Sequence, residues 1–321
     1  MQLSIVPCNK PNDTNDVPMK PWHALRENAF TLVNDSNPKE CLFFFDSAPS
    51  EAAVPTIILI HGLGDDADSW RHLIPLLHSF GYRVLAFDLP GFGRSTSSGK
   101  LCIKSYRNTV FTLLDALKLQ PETPVFLAGN SMGAVIAEAA ALQKPDRIRA
   151  LILLNGCIPG GPQNIRITVL AKILLGRKSF RVYHENPDRA WASLHPYYTD
   201  LENMPSCDKE FLRKRVMERV ESSRHERAYF TVQKDIVRTF VFQASRFAKK
   251  IRASKNNILL IWGADDKVLP FAPAKAFANL RSGIELCTIP GAGHLPHQEK
   301  PTEIANLMVE FVQRNLHSST K

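Results

Sequence analysis

The five residues Gly129-Asn130-Ser131-Met132-Gly133 carry the clearest chemical meaning in this sequence. They stand directly after the apolar run Val125–Ala128 and directly before the Ala-rich run Met132–Lys144, so Ser131 falls on a turn from strand to helix. A nucleophile on so tight a turn needs small residues two before and two after it, because side chains there would meet neighbouring backbone. Both positions are glycine. The helix that begins at Met132 aims its free amides and the positive end of its dipole at the Ser131 oxygen, where negative charge develops in acyl transfer. A serine hydroxyl is a poor nucleophile near neutral pH and needs a base, and the base needs an orienting acid. Gly291-Ala292-Gly293-His294 sets a histidine on a small-residue loop after the run Ile284–Ile289, and Trp262-Gly263-Ala264-Asp265-Asp266 offers two adjacent carboxylates after Ile258–Ile261. Serine, then acid, then histidine is the chain order of one triad-bearing architecture.

These residues need a scaffold, and the sequence predicts one. Eight short runs read as strands because they are β-branched or aromatic and bounded by Gly, Pro, Asp or Asn: Phe30–Val33, Cys41–Phe45, Thr56–Ile60, Arg83–Phe87, Val125–Ala128, Ala150–Leu154, Ile258–Ile261 and Ile284–Ile289. From the third onward they are almost continuously apolar, as strands covered on both faces must be, which implies a mostly parallel sheet. Helical periodicity falls between them, over Ser69–Phe80, Ile103–Leu119, Met132–Lys144 and Pro301–Leu316, supplying the crossovers that parallel strands require. The apolar stripes of these helices are read as core.

The stretch 157–256 breaks this rhythm. It opens on Pro159-Gly160-Gly161-Pro162, offers an apolar helical candidate at Ile165–Leu175, and then alternates basic residues with aromatics. The expected organisation is a loosely ordered arm at 1–22, a catalytic core at 23–156 and 257–321, and a helical lid at 157–256. Of the chain's 321 residues, 40 are Lys or Arg and 31 Asp or Glu; the lid stretch holds 20 of the former and 10 of the latter, so it carries the whole excess of +9. Such a face is read first as solvated, and second as a peripheral contact with an anionic membrane, with Ile165–Leu175 as its apolar strip.

Composition narrows the function class. At 44% hydrophobic and 22% charged residues the chain is an ordinary globular protein. The six cysteines show no CxxC pair and no spacing that suits a metal, so all are expected reduced, with no metal site. No phosphate-cradling loop or nucleic-acid module is visible. With no membrane-spanning run and no secretory signal, the expected location is cytoplasmic.

Taken together, five motifs resemble those of the α/β-hydrolase fold superfamily, in its lid-bearing members: His61-Gly62-Leu63-Gly64, Asp88-Leu-Pro-Gly-Phe-Gly-Arg-Ser95, the nucleophile turn, Trp262–Pro270 and Gly291–His294. The resemblance spans about Phe30 to Leu316. It implies an eight-stranded, mostly parallel sheet flanked by helices, with the helical lid inserted after the sixth strand, and no cofactor. Members place the acid at the D of G-x-x-D-x-x-x-P, which selects Asp266, counted from Gly263 to Pro270, over its neighbour Asp265. It further implies an oxyanion hole from the backbone N–H groups of Leu63 and Met132; His61 is read as an orienting, hydrogen-bonded histidine, and Asp88 and Arg94 likewise as loop-fixing residues. Epoxide hydrolases and haloalkane dehalogenases of this fold carry Asp where this chain has Ser131, so acyl chemistry on a small-molecule carboxylic ester with an apolar acyl group is expected. The alternatives are carbon-carbon hydrolysis of ring-fission diketones, whose enzymes show a similar G-N-S-M-G turn, and a small-molecule receptor that retains the triad.

Overall fold

The computed structural model describes residues 3–8, 22–37, 39–50, 54–156 and 180–317. The strands are β1 (Leu3–Pro7), β2 (Ala29–Asn34), β3 (Cys41–Asp46), β4 (Thr56–Ile60), β5 (Arg83–Phe87), β6 (Val125–Asn130), β7 (Ala150–Leu154), β8 (Asn257–Gly263) and β9 (Ile284–Ile289). They form one nine-stranded sheet in the order β1-β2-β3-β5-β4-β6-β7-β8-β9, antiparallel from β1 to the β3–β5 pair and parallel from β5 through β9. The eight strands expected are all present, and a ninth precedes them. Leu3–Pro7 was expected in a loose arm; it pairs with β2 along its whole length. An edge strand exposed over most of its length buries little, so its sequence carries no core signal, and its stability comes from the ladder that β2 offers.

Each central strand is buried on both faces, and the period of two divides its residues between two cores. Ile58, Ile60, Leu85, Phe87, Leu127 and Leu153 face helices α2 (Ile103–Ala116) and α3 (Met132–Gln143). Ile57, Leu59, Val84, Ala86, Ala128 and Ile152 face helix α1 (Leu73–Ser79) and the C-terminal helix Pro301–His317. Helix α1 starts later than its apolar stripe suggests. Pro75 sits in its first turn, where the missing N–H costs nothing, but a helix begun at Ser69 would need that N–H as a ladder donor. Residues Ala67–Trp70 instead form a short 3-10 turn capped by the Asp66 carboxylate, which accepts from Asp68 N–H at 3.1 Å.

Between β7 and β8 the described residues 180–256 carry the helices α4 (Pro187–Ala192), α5 (Ser206–Glu221), α6 (Ser223–Phe242) and α7 (Ala244–Ala253). The candidate helix Ile165–Leu175 lies outside the described residues. Helix α5 is joined to the loops after β4 and β5 by a buried layer of charge. Arg215 pairs with Asp66 at 2.9 Å and with Asp68, while Arg219 pairs with Asp66 at 2.8 Å and with Asp65. Arg94 completes the layer from the core side, with Asp88 at 2.7 Å and Asp68 at 3.2 Å, which gives it and Asp88 the loop-fixing geometry expected of them. Burial pushes the Asp66 carboxyl up, but the charges of Arg215, Arg219 and Arg94 outweigh it and hold the group well below the usual carboxylate range.

Breaking such a layer costs more than it would cost to replace it, because the surviving charge stays buried without a partner. Arg215→Met is therefore expected to lower the free energy of unfolding by about 3–5 kcal/mol, read from urea denaturation. Adding Asp66→Asn and Asp68→Asn to that variant should recover part of the loss; a single substitution without measurable cost would show the layer to be energetically idle.

Candidate active site

The turn at Ser131 is built by close approach. A Cβ on Gly129 would lie 2.3 Å from the Gly133 carbonyl group, and one on Gly133 would lie 2.0 Å from Ile60 O. Any larger residue at either position would drive α3 away from β6 or β4. Ser131 itself has φ 54°, in the left-handed region, a conformation that costs a non-glycine residue on the order of 1–3 kcal/mol. The cost is met by tertiary bonding: Ser131 N–H donates to Leu154 O at 2.9 Å, anchoring the turn to β7. The side chain stands half-buried at the N-terminus of α3, where the macrodipole favours negative charge.

His294 is 2% exposed and held from three sides. Its N–H donates to Tyr197 O of the insertion at 2.9 Å, its carbonyl accepts from Asn130 Nδ2 at 3.0 Å, and its ring meets that of Tyr197 edge-on with centroids 5.7 Å apart. The preceding Gly293 N–H is clamped by Glu299 Oε2 at 2.6 Å. Nδ1 donates to Asp266 Oδ2 at 2.9 Å, which leaves Nε2 as the basic nitrogen. Asn130 thus ties His294 to the residue before Ser131. Among the described residues no hydrogen bond joins Ser131 Oγ to Nε2; the bond from Asn130 to His294 O brings the two residues to one site.

Of the two adjacent carboxylates, Asp266 is the one bonded to His294. Its Oδ1 accepts from Val268 N–H at 2.7 Å and Leu269 N–H at 3.0 Å, and its Oδ2 from Asn155 Nδ2 at 2.7 Å as well as from His294. Burial pushes this carboxyl up, but the hydrogen bond and charge of His294, with the Asn155 and Leu269 donors, outweigh it and hold the pKa below the ordinary value. Asp265 points into solvent and engages the fold through its backbone, N–H to Ala292 O at 3.0 Å.

The loop after β4 lies against Ser131: a side chain on Gly62 would touch Ser131 Cβ at 3.4 Å. His61 is fully buried, and its two nitrogens are both engaged. Nε2 accepts from Leu89 N–H at 2.9 Å, so the proton sits on Nδ1, which donates to Gly62 O at 2.8 Å. In a trans peptide the C=O and N–H point opposite ways, so drawing Gly62 O toward His61 turns Leu63 N–H away from it. Neither Leu63 N–H nor Met132 N–H donates to a described backbone group.

Three contributors escape sequence reasoning. Asn155, with φ 44° and no exposure, links Asp266 to Gly293 O at 3.3 Å and accepts Gly263 N–H at 3.1 Å. A polar residue ending the apolar run Ala150–Leu154 is its only sequence signal. Tyr197 and Tyr229 come from the insertion; the ring of Tyr229 lies 2.9 Å from where a Cβ on Gly64 would stand, and so covers the loop that presents Leu63. Among the described residues no group of three or more His, Cys, Asp or Glu could hold a metal ion, and no helix is long and apolar enough to cross a membrane.

Residues 55–301 match the family model described as alpha/beta hydrolase fold, and the chain belongs to that family. It is 29% identical to a 2-hydroxy-6-oxononadienedioate/2-hydroxy-6-oxononatrienedioate hydrolase of Pseudomonas putida, over 80% of this chain and 87% of that protein. To the pimeloyl-(acyl-carrier protein) methyl ester esterase of Yersinia enterocolitica it is 26% identical, over 81% and 93%. Among solved structures, a thermophilic esterase from Thermogutta terrifontis shares the fold at TM-score 0.67 and 21% identity, covering 88% of this chain and 97% of that one.

Proposed function

We propose that this α/β-fold hydrolase is a serine esterase acting on a small carboxylic ester with an apolar acyl group. The observation that carries the reading is the Asp266–His294 hydrogen bond, together with a serine on a strained strand-to-helix turn. In this reading Ser131 Oγ attacks the carbonyl carbon while His294 Nε2 takes its proton, and Asp266 stabilises the imidazolium that results. The oxyanion of the tetrahedral intermediate rests on Leu63 and Met132 N–H. Collapse breaks the ester C–O bond, His294 returns the proton to the leaving alcohol, and water, activated by the same nitrogen, releases the acid from Ser131.

The serine argues against epoxide opening. Attack by a serine oxygen on an epoxide carbon would form an ether, which water does not cleave, whereas an acyl-serine is itself an ester and turns over. A second reading is favoured by two observations: the turn Gly129-Asn130-Ser131-Met132-Gly133 and the similarity to the Pseudomonas putida enzyme together suit carbon-carbon hydrolysis of a ring-fission diketone.

Steady-state assays separate these readings. A series of p-nitrophenyl esters of increasing acyl length is expected to show saturable, multiple-turnover hydrolysis, with kcat/KM rising from the shortest acyl chain before it falls. Inert esters beside rapid cleavage of a 2-hydroxy-6-oxo-dienoate would transfer the assignment to carbon-carbon hydrolysis. A single slow turnover on every substrate would mark a receptor that merely keeps the triad.

A further inference from the structure

Within the described part of the insertion the positive excess is concentrated at its end. Residues 180–233 hold nine Lys or Arg and nine Asp or Glu, and two of those arginines, Arg215 and Arg219, are consumed by the buried carboxylates of the core. Residues 234–255 hold seven Lys or Arg and one acid, Asp235. Even that acid is turned inward, since its carboxylate accepts Ile103 N–H at 2.8 Å and so serves the N-terminus of α2.

This charge sits on the exposed sides of two consecutive helices. Lys234, Arg238 and Phe242 follow one another at intervals of four on α6 and are all exposed, so they line one stripe of that helix. Helix α7 buries Ala244, Ala248 and Ile251, which turns Arg246, Lys249 and Lys250 outward. The two helices meet at Gln243, and beside that corner stands Phe242, 79% exposed, the most exposed large hydrophobic side chain among the described residues. None of the five basic residues forms an ion pair with a described residue.

We propose that this corner docks the protein on an anionic lipid surface, with Lys234, Arg238, Arg246, Lys249 and Lys250 against the headgroups and Phe242 inserted at the acyl boundary. Two features select lipid. The first is the charge, which within residues 234–255 is opposed only by the inward-turned Asp235, and which gains about fivefold in partition per Lys or Arg near an anionic bilayer. The second is the lone phenyl ring on a convex corner. A ring in water at the tip of a basic face gains by entering hydrocarbon, as the apolar side of interfacial helices does. Nucleic acid would instead call for hydrogen-bonding side chains that reach base edges or a groove that tracks the backbone. The docking stands independently of the esterase reading, because it uses no residue of the active site.

The test is co-sedimentation of the full chain with vesicles of phosphatidylcholine alone and of phosphatidylcholine mixed with phosphatidylglycerol, at low and high salt, with duplex DNA as a competing ligand. Binding is expected to the mixed vesicles only and to fall steeply as salt screens the headgroups. Lys249→Gln/Lys250→Gln should weaken it by about 25-fold, and Phe242→Ser should weaken it several-fold at both salt concentrations, while both variants hydrolyse a short soluble ester at the parental rate. Binding that is equal on neutral vesicles, absent from both, or unmoved by the substitutions would overturn the proposal. So would preferential capture by DNA, lost on the same lysine substitutions, which would make the corner a nucleic-acid face.

Discussion

Ser131→Ala is expected to lower kcat for a p-nitrophenyl ester by about 10⁶-fold, the loss seen when a triad nucleophile is removed, and to abolish labelling by a fluorophosphonate. The expectation rests on position. The hydroxyl stands half-buried at the N-terminus of α3, beside the loop that carries Leu63 and tied through Asn130 to His294. The same substitution should leave the melting temperature almost unmoved, because alanine and serine bear similar strain at φ 54° and the anchoring bond to Leu154 O comes from the backbone. That pairing of outcomes is informative. A Gly133→Ala variant would also lose activity, but through collision with Ile60 O and loss of the fold, whereas Ser131→Ala isolates chemistry from architecture. Persistent labelling of the alanine variant would move the nucleophile elsewhere, and with it the whole assignment.

How much of this was legible beforehand depends on whether the requirement was local. The central strands were readable because burial on both faces leaves a continuous apolar run, and the nucleophile turn because close approach at Gly129 and Gly133 can be met only by glycine. Leu3–Pro7 was not, since an edge strand is stabilised by its neighbour's ladder and not by its own side chains. Nor were Asn155, Tyr197 and Arg219, each of which acts on a partner more than 90 residues away in the chain: Asp266, His294 and Asp66 respectively. The charge of the insertion shows the same divide. Its sum was plain, but a sum over 157–256 cannot tell that Arg215 and Arg219 face inward while Lys249 and Lys250 face outward. Spacing from Gly263 to Pro270 pointed to Asp266, and what makes that residue the partner of His294 is a set of four donors that spacing alone does not reveal.

Those four donors make the second large effect. Asp266→Asn is expected to reduce kcat by on the order of 10⁴-fold, and Asp265→Asn by less than about twofold. The asparagine is isosteric, so the loss comes from hydrogen-bond polarity. Val268 and Leu269 N–H both point at the Oδ1 position and require an acceptor there, so the amide oxygen of the introduced asparagine must occupy it. The amide nitrogen is then forced into the Oδ2 position, where it faces His294 Nδ1 with a donor. Nδ1 can answer only by giving up its proton, which moves to Nε2, and a protonated Nε2 cannot receive the proton of Ser131. Asn155 Nδ2, which now also meets a donor, loses its partner and loosens the link to the Gly293 loop. At Asp265 none of this applies, since its side chain is exposed and its backbone bond to Ala292 O survives substitution. Parallel kcat measurements on the two variants, with circular dichroism to certify the fold, decide the matter: comparable losses, or a larger one at Asp265, would show that the carboxylate bonded to His294 is not the one that orients it for catalysis.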